Sequence, residues 1–514
     1  MANIFCMRSF MVISVGVTCA AALTLPLAAP ALSAPVPTAP VPHASSARPP
    51  SPSPESPGAG PPAVRTAGPG TAEDRSAETP AESRSAGLAG STQSLPLEPL
   101  AAPSDRSAGP AAPGRGLDRR TTRPFSLVGV VWDDAGAELH GRVQVRTRAV
   151  GDGSWSGWQD VETHNAEHAA DLDSDERASG TVRGATAPLW VGASDGVEVR
   201  VHPEAADEQG RSIAVRLPDG LRLELVDPGP DPASAPAGDA TAGRTAAPAG
   251  LAVHPGPPPT GTAAVVPEAL TAASAAASAV NAELAPLGAS VIPALSEAET
   301  AEAAEPNAPG AKPYIGPRPK IVTRKGWGAD EKLRERNFAY TRTVKAAFVH
   351  HSATGNNYTC KQAPSVLRSI YRYHVKSSGW RDFGYNFAVD KCGNIYEGRA
   401  GGVSRPVLGA HTLGFNSNTM GIAVLGSYSS TTPPAAAVTA VAKLTAWKLG
   451  LFGGNPKGKV TLVSGGSNKY KKGKKVKLNV ISGHRDGFAT ECPGARLYKK
   501  LGKARTSSAR LQGR

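Results

Sequence analysis

The sequence predicts an α/β fold, with a mixed central sheet flanked by helices in a C-terminal domain, preceded by a small all-β module and long disordered Pro/Ala-rich segments. Three observations predict this organisation. Helical and strand patterns alternate after residue 317. Short alternating apolar runs, separated by turn residues, occupy residues 117–228. The 47 Pro and 56 Gly are concentrated in particular stretches, so the 514 residues do not form one continuous fold.

Residues 1–34 have the pattern of a secretory signal peptide. Arg8 precedes an apolar run over residues 10–27, which small residues follow. Cleavage after Ala31 or Ala34 is predicted, and an uncleaved anchor is the alternative, although prolines interrupt the run. No later apolar run is long enough to span a bilayer. We therefore expect a secreted protein, extracellular or associated with the cell wall, with no transmembrane anchor after signal removal.

Two segments are too poor in large apolar residues to fold alone. Residues 35–116 consist largely of Pro, Ala, Ser and Gly, and we expect them to be disordered. Residues 229–316 return to Ala and Pro and are predicted to be a linker. Within them, residues 265–305 are Ala-rich enough for a transient helix, but they lack a periodic apolar face that could pack.

Residues 117–228 are predicted to form an all-β accessory module of sandwich type. Apolar residues alternate at Val143 and Val145, over 197–201 and over 221–225. The module is rich in tryptophan, which supports two interpretations: a platform on which carbohydrate rings stack, or the filling of a small core. The tryptophans are Trp132, Trp155, Trp158 and Trp190.

An acidic loop of this module, residues 162–175, contains two histidines. His164 and His168 offer imidazole nitrogens that could hold a metal ion. Neither a cysteine nor a strand pattern lies beside them, so their spacing gives this interpretation little support.

Residues 317–505 form the predicted C-terminal domain, and residues 506–514 a tail. The predicted elements are a strand over 346–349, a helix over 362–375, a hairpin of 385–389 and 394–397, a strand over 420–425 and a helix over 433–449. The first helix is amphipathic, because its apolar residues recur at steps of three and four. Strands separated by helices indicate an α/β layer fold with a mixed sheet.

The cysteines reduce to three once the signal peptide is removed, because Cys6 and Cys19 leave with it. In an oxidising exterior, an odd number suggests one disulfide and one special thiol. We assign Cys360 and Cys392 to the disulfide, which leaves Cys492 able to bind a metal.

A histidine and a cysteine stand eight residues apart at His484 and Cys492. Pro493 fits the first position of a helix, which predicts Cys492 as its N-cap, where the helix dipole favours a metal-binding thiolate. A third ligand is predicted from the pair at 350–351, of which only one can face the metal, because neighbouring strand residues point to opposite faces. Two histidines, one cysteine and an open fourth position describe a catalytic zinc. The alternative is an ordinary core strand with a buried thiol.

Charge is divided unevenly along the chain. Residues 312–514 hold 36 Lys and Arg against 8 Asp and Glu, a net charge of +28, whereas the remaining residues carry −15. A strongly cationic domain indicates a polyanionic partner. Nucleic acid is one candidate, but an anionic cell envelope suits an exported protein better.

Part of this charge is a lysine cluster set among Gly and Ser, which predicts a basic hairpin or a flexible loop. The lysines are Lys457, Lys459, Lys469, Lys471, Lys472, Lys474, Lys475 and Lys477. One hypothesis is that they hold the protein on an anionic wall polymer, and the alternative is a solvated charged loop.

Six short motifs follow one another over about 180 residues of the C-terminal domain. They are Arg324 to Ala329, Phe348-Val349-His350-His351-Ser352-Ala353, Gly379-Trp380 with Phe383 to Phe387, Tyr396-Glu397-Gly398-Arg399, Gly409-Ala410-His411-Thr412 with Gly414-Phe415-Asn416, and Gly483-His484-Arg485-Asp486 with Thr490 and Cys492-Pro493-Gly494. Together they resemble peptidoglycan recognition proteins, relatives of the zinc-dependent N-acetylmuramoyl-L-alanine amidases of type 2. The resemblance covers about residues 317–503. The module at 117–228 is similar, more weakly, to one that accompanies such domains in secreted bacterial members.

The resemblance implies a metal centre with catalytic groups beside it. The implied ligands of Zn²⁺ are His350, His484 and Cys492. His351 would then turn into the packing on the other side of the strand. Tyr385 matches the catalytic tyrosine, whose hydroxyl lies near the metal, and Thr490 matches a position that holds the oxyanion or water.

The resemblance also implies a groove for substrate. The matching residues are Gly379, Trp380, Arg399, His411 and Asn416. The first three match a combination that accompanies stem peptides of the diaminopimelate type, where the arginine pairs with the extra carboxylate. A surface ion pair is an equally good interpretation of Arg399.

The implied activity is that of a secreted zinc-dependent amidase, which hydrolyses the amide bond between N-acetylmuramic acid and L-alanine in peptidoglycan. Zinc would polarise the lactyl carbonyl and activate water for attack on it. The alternative is a non-catalytic peptidoglycan-binding recognition protein. Members that bind without cleaving typically lack the cysteine ligand, so Cys492 favours the enzyme.

Overall fold

The computed structural model describes residues 90–100, 114–163, 165, 168–204, 216–231, 270–304 and 314–514. The signal peptide predicted over 1–34, most of the segment predicted over 35–116, and His164 lie outside these ranges. Within the described ranges, no helix combines the length and the apolar character that crossing a bilayer requires.

The N-terminal module is all-β, as predicted, with one single-turn helix. Its elements are β1 (Ser91–Pro96), β2 (Glu98–Pro99), β3 (Arg115–Trp132), β4 (Gly141–Ala149), β5 (Gln159–Val161), helix α1 (Asp175–Ala178), β6 (Gly184–Ala185), β7 (Leu189–Pro203) and β8 (Arg222–Asp227). The strands belong to one hydrogen-bonded sheet in the order β1-β8-β3-β7-β4-β5, with β2 and β6 also paired to β3. Register shifts along β3 allow this long strand to change direction within that sheet.

The module begins earlier in the chain than the boundary predicted at residue 117. Strand β1, inside the segment predicted to be disordered, pairs with β8 from Ser91 opposite Asp227 to Pro96 opposite Arg222. An edge strand is held mainly by backbone hydrogen bonds to its neighbour, so its composition need not be apolar. This is why composition placed the boundary too late.

The tryptophans of the module have two kinds of surroundings, and two of the four fill the core as one interpretation predicts. Trp132 and Trp190 are buried, 1% and 5% exposed, and fill apolar clusters. Trp158 is half-buried beneath Arg146 and Arg200, whose guanidinium carbons lie 4.8 and 4.1 Å from its ring centroid. Trp155 has the same kind of cation–π contact.

The C-terminal domain is the predicted α/β fold. Its strands are β9 (Val291–Ile292), β10 (Ile321–Val322), β11 (Ala346–His351), β12 (Phe387–Val389), β13 (Ile395–Glu397), β14 (Thr419–Val424), β15 (Lys459–Val463), β16 (Lys475–Asn479) and β17 (Ile481–Gly483). Its helices are α2 (Ala272–Ala279), α3 (Glu297–Ala304), α4 (Arg324–Trp327), α5 (Ala363–Arg372), α6 (Ala435–Gly450), α7 (His484–Gly487), α8 (Ala495–Tyr498) and α9 (Leu501–Leu511). A seven-stranded sheet runs β17-β11-β14-β12-β13-β10-β9, and it is mixed because β12–β13 and β9–β10 are antiparallel.

The predicted helices and the disulfide are present. A 3₁₀ turn at Cys360–Gln362 leads into α5, and a π turn at Tyr373–Ser377 extends it. Cys360 and Cys392 are bonded, with their Cα atoms 6.2 Å apart. The bond ties the start of α5 to the turn between β12 and β13. Strands β15 and β16 form the predicted basic hairpin, a separate two-stranded sheet.

Two regions predicted to lie outside the domain are part of it. Within the linker predicted over 229–316, strand β9 joins the central sheet and buries Ile292 completely. Asn281 donates to Glu397 at 2.9 Å and accepts from the backbone N–H of Val403. The tail predicted over 506–514 is largely helical, because α9 continues through it. These contacts join residues that are far apart in the sequence, so neither hydropathy periodicity nor composition predicts them.

The module and the C-terminal domain share one apolar cluster. Leu127, Trp190 and Val226 of the module pack with Ile370 and Tyr373 from the α5 region. The Tyr373 hydroxyl donates to the backbone carbonyl of Thr186 at 3.1 Å. The two regions therefore form a common core.

Candidate metal centre and binding groove

The candidate metal centre lies at the ends of two adjacent parallel strands. Strand β11 pairs with β17 so that Val349 lies opposite Gly483. His350 near the end of β11 and His484 just after β17 therefore emerge at the same edge of the sheet. Both side chains are completely buried.

His351 lies on the opposite face of β11, as strand alternation requires. Its Nδ1 accepts a hydrogen bond from the backbone N–H of Tyr428 at 3.3 Å. Burial lowers the pKa of His351 to about 4, so the ring is neutral at pH 7. The structure thus gives the two neighbouring histidines the different surroundings that the sequence predicts.

Cys492 reaches the centre from a loop, and the prediction that it caps a helix is wrong. Helix α8 begins at Ala495, with Gly494 before it. The loop turns back so that the backbone N–H of Arg485 donates to the Cys492 carbonyl at 3.0 Å. The sulfur lies 3.8 Å from His350 Nδ1. Tertiary contacts, and not a helix dipole, place this thiol.

A fourth residue at the centre comes from the N-terminal module. His168 Nε2 lies 3.1 Å from His484 Nδ1. One ligand atom each from His168, His350, His484 and Cys492 lies within 4.8 Å of the other three, and all four residues are buried. The sequence identified His168 as a ligand candidate in an acidic loop, but nothing in it predicted that this loop enters the centre of another domain.

Two separations between donor atoms are close to those of a tetrahedral zinc site. With zinc bonds of about 2.0–2.1 Å to nitrogen and about 2.3 Å to sulfur, neighbouring ligand atoms should be about 3.3 Å apart for two nitrogens and about 3.6 Å for nitrogen and sulfur. The observed separations are 3.1 and 3.8 Å. Burial lowers the pKa of His168 and of His350 well below the usual value, which leaves the neutral imidazoles that a metal requires.

Two hydroxyl groups predicted to be catalytic belong to residues beside the centre. The Tyr385 ring centroid lies 5.2 Å from that of His350 and 5.9 Å from that of His168. Thr490 Oγ1 accepts from the Cys492 backbone N–H at 3.1 Å. Tyr385, Thr490 and His168 line a cavity of about 10 Å³. That volume admits about one water molecule.

Two of the five predicted substrate residues line a groove, and the other three lie elsewhere in the domain. Arg399 and Asn416 line a cavity of about 720 Å³. Trp380 stacks on His374 with their ring centroids 4.3 Å apart. Gly379 has a φ of 74°, which a residue with a side chain rarely adopts. His411 is fully buried, with its ring 5.4 Å from the His350 ring.

Arg399 is neither exposed nor unpaired. Its two terminal nitrogens donate to both carboxylate oxygens of Glu176 at 2.8 and 2.9 Å, and its Nε donates to the Phe383 carbonyl at 2.8 Å. Burial acts to raise the pKa of Glu176, but the Arg399 charge and the hydrogen bonds from Arg399 and from the Arg381 backbone N–H together outweigh it, so the pKa is lowered. The pair is therefore ionised on both sides.

Asn416 is also contacted from the module. Its amide oxygen accepts from the backbone N–H of His411 at 2.7 Å. Its amide nitrogen donates to the Ala169 carbonyl and to Asp171 Oδ1, each at 2.8 Å. Arg399 and Asn416 thus line the same groove, and module residues are hydrogen-bonded to both.

Two family models match the chain. One, described as Rv3811 N-terminal galactose-binding domain-like, matches residues 75–235. The other, described as N-acetylmuramoyl-L-alanine amidase, matches residues 340–495. The first match covers the all-β module, including His168, and the second covers the other three residues of the candidate metal centre and the C-terminal side of the groove from residue 381.

Individual relatives match the C-terminal part. Peptidoglycan-recognition protein SC2 of Drosophila simulans is 31% identical over 183 residues, which are 35% of this chain and 84% of that protein. The human N-acetylmuramoyl-L-alanine amidase is 31% identical over 187 residues, 36% of this chain and 28% of the human protein. Among solved structures, wild-type Drosophila PGRP-LB is 25% identical, with 35% of this chain and 92% of that chain covered and a TM-score of 0.29. The chain belongs to the peptidoglycan-recognition protein family.

Proposed function

We propose that this protein is a secreted zinc-dependent amidase, which hydrolyses the amide bond between N-acetylmuramic acid and L-alanine in peptidoglycan. The observation that carries the proposal is the buried cluster of His350, His484 and Cys492 with Tyr385 beside it. The human relative named as such an amidase supports the same activity. A non-catalytic peptidoglycan-binding protein is the alternative, and the presence of Cys492 in the cluster favours the enzyme.

The chain's residues have distinct roles in this proposal. His350, His484 and Cys492 would hold the zinc, which when bound would act as a Lewis acid on the scissile carbonyl and on water. Tyr385 and Thr490 present hydroxyl groups where negative charge develops on the carbonyl oxygen, and hydrogen bonds there stabilise the transition state. The cavity is small and enclosed by protein, so these interactions act with little competing water.

The groove residues orient the stem peptide. Arg399 presents a planar pair of N–H donors, which suits the extra carboxylate of diaminopimelate better than the amine of lysine. Gly379, Trp380, His411 and Asn416 complete the proposed substrate site.

The basic hairpin supplies the proposed contact with anionic wall polymer. All eight of its lysines are exposed. Lys472 pairs with Asp173 of the module at 2.6 Å. The hairpin's Val463 and Ser464 border the groove, so wall polymer bound to the lysines would lie next to bound substrate.

The test uses the chain with both regions, because they share a core. Protein beginning at residue 35 is loaded with zinc and incubated with diaminopimelate-type peptidoglycan, and the products are analysed by mass spectrometry. We expect release of stem peptides that begin with L-alanine, abolished by a chelator and restored by zinc. Tyr385→Phe should slow the release, whereas Tyr314→Phe, at a half-exposed tyrosine, should not.

Because module residues occupy the groove, the assay is repeated on a chain carrying His168→Ala and Glu176→Gln. Intact peptidoglycan with both chains, despite firm binding, would favour the non-catalytic alternative. The catalytic roles of Tyr385 and Thr490 would then be withdrawn.

A further inference from the structure

One segment of the module, residues 168–183, contacts three of the five predicted substrate residues and is called the crossing segment. At one end, His168 lies at the metal centre. At the other, Thr181 Oγ1 donates to the Gly379 carbonyl at 3.0 Å, and the backbone N–H of Arg183 donates to the Ser378 carbonyl at 3.0 Å. The segment therefore reaches from the metal ligands to the far part of the groove.

Between these ends, the crossing segment makes the contacts expected of a bound peptide. The Ala169 carbonyl and the Asp171 carboxylate accept from Asn416, and Asp171 also accepts from the Gly414 backbone N–H at 2.7 Å. The Glu176 carboxylate occupies Arg399 in the bidentate manner proposed for the carboxylate of diaminopimelate. A side-chain carboxylate and a backbone carbonyl are groups that a stem peptide also offers.

The residues of the segment that contact the metal centre and Arg399 are buried. His168 and Glu176 are only 5% and 6% exposed. The rest of the module is fixed by the shared core, where Ser377 Oγ also donates to Glu224 at 2.8 Å. Because the module is already attached, the segment binds without the loss of translational freedom that a separate ligand suffers.

We propose that His168 is a fourth protein ligand of the metal and that the crossing segment is an internal substrate mimic, which holds the site closed until it is displaced. This rests on the proposed function. Zinc with four protein ligands is typical of structural sites, whereas catalytic sites keep one position open. The cavity left beside His168, about 10 Å³, cannot admit a muramyl group. Displacement of the segment opens both the fourth position and Arg399.

The first test measures metal coordination. Cobalt(II) replaces zinc in the native chain, in His168→Ala and in His168→Asn, and visible absorption is recorded. Cobalt held by four protein ligands, three imidazoles and one thiolate, gives intense ligand-field bands, and we expect both variants to shift and weaken them while sulfur-to-cobalt absorption remains. Asp160→Asn is the control, because Asp160 pairs with Arg142 on the exposed face of the module. Spectra of the His168 variants identical to the native spectrum would overturn the ligand assignment.

The second test measures access to the groove with a probe that cannot be cleaved. The probe is the free tetrapeptide L-Ala-D-Glu-diaminopimelate-D-Ala, which lacks the muramyl amide, and its lysine-containing counterpart is the comparison. When only a fraction of molecules is open, the apparent dissociation constant rises by the inverse of that fraction. We expect Glu176→Gln and the double variant with His168→Ala to bind the diaminopimelate peptide at least tenfold more tightly than the native chain.

The outcomes separate this inference from the proposed function. Equal peptide affinity in the native chain, the variants and Asp160→Asn would overturn the closed state, even if the native chain cleaves peptidoglycan. Tighter binding by the variants without cleavage by any chain would support the closed state and remove the amidase assignment. Circular dichroism confirms that each variant is folded, and Glu176→Ala provides a second substitution if Glu176→Gln is unstable.

Discussion

Gly129 provides a direct test of the shared core. It lies buried in β3, and a Cβ atom built there would be within 2.6 Å of three atoms of the Tyr373 side chain. Non-bonded carbon atoms normally lie about 3.5–4.0 Å apart, so Gly129→Ala requires a displacement of about 1 Å. Tyr373 is fully buried, and its hydroxyl is hydrogen-bonded to Thr186, so the ring has little room to retreat.

Overpacking of this kind costs about 1–3 kcal/mol, and we expect Gly129→Ala to lower the free energy of unfolding by that amount. Urea unfolding followed by tryptophan fluorescence measures it. Gly157→Ala is the matched control, since Gly157 is exposed and a Cβ there would meet nothing within 4 Å. The reasoning also predicts tighter binding of the diaminopimelate tetrapeptide by Gly129→Ala, because a loosened module holds the crossing segment less firmly. If Gly129→Ala matches Gly157→Ala in both measurements, the two regions do not pack as described.

Three further predictions follow from single features. Cys492→Ser should weaken zinc binding, measured by chelator competition. The loss should exceed the roughly 10–100-fold that is typical when a residue outside the ligand shell is changed. An unchanged zinc affinity would show that the thiol is not a ligand. Burial raises the pKa of Glu397 from 4.5 to about 7, so the folded state binds the Glu397 proton more tightly than the unfolded state does. This proton binding stabilises the fold fully below pH 4.5, and the stabilisation is lost as pH rises from 4.5 through 7. Glu397→Gln removes this titration and should therefore flatten that decline, and an unchanged pH profile of urea unfolding would contradict this. Glutamine at all eight hairpin lysines should reduce co-sedimentation with cell walls, most at low salt, and no change at low salt would exclude a role in wall binding.

The closed arrangement changes how activity measurements on this family member should be interpreted. A weak native activity has two explanations, a non-catalytic site or an occupied one. The two explanations predict different responses to His168→Ala and Glu176→Gln. These substitutions remove the groups that occupy the site, so they raise activity only if the site is catalytic. The peptide-binding measurement separates them without requiring turnover.

Local sequence patterns were enough to predict the two strands that carry the histidines of the candidate metal site. The apolar runs before His350 and His484 predict strands, and β11 and β17 place both histidines at one sheet edge. The spacing to Cys492, the disulfide from Cys360 to Cys392 and the mixed sheet also follow from nearby residues or from short motifs. Periodicity and turn chemistry are properties of neighbouring residues, so they can be read without coordinates.

Only the tertiary structure decided what else enters that site. His168 and His484 are 316 residues apart, and Glu176 and Arg399 are 223 apart. The sequence contains the acidic loop and the cationic domain, but electrostatic attraction is not directional, so it does not determine which carboxylate pairs with which arginine. The strand at 91–96 and the packing of the elements at 270–304 onto the domain were not predicted, for a related reason. Their backbone partners lie far along the chain, and composition records what a segment contains but not what it packs against.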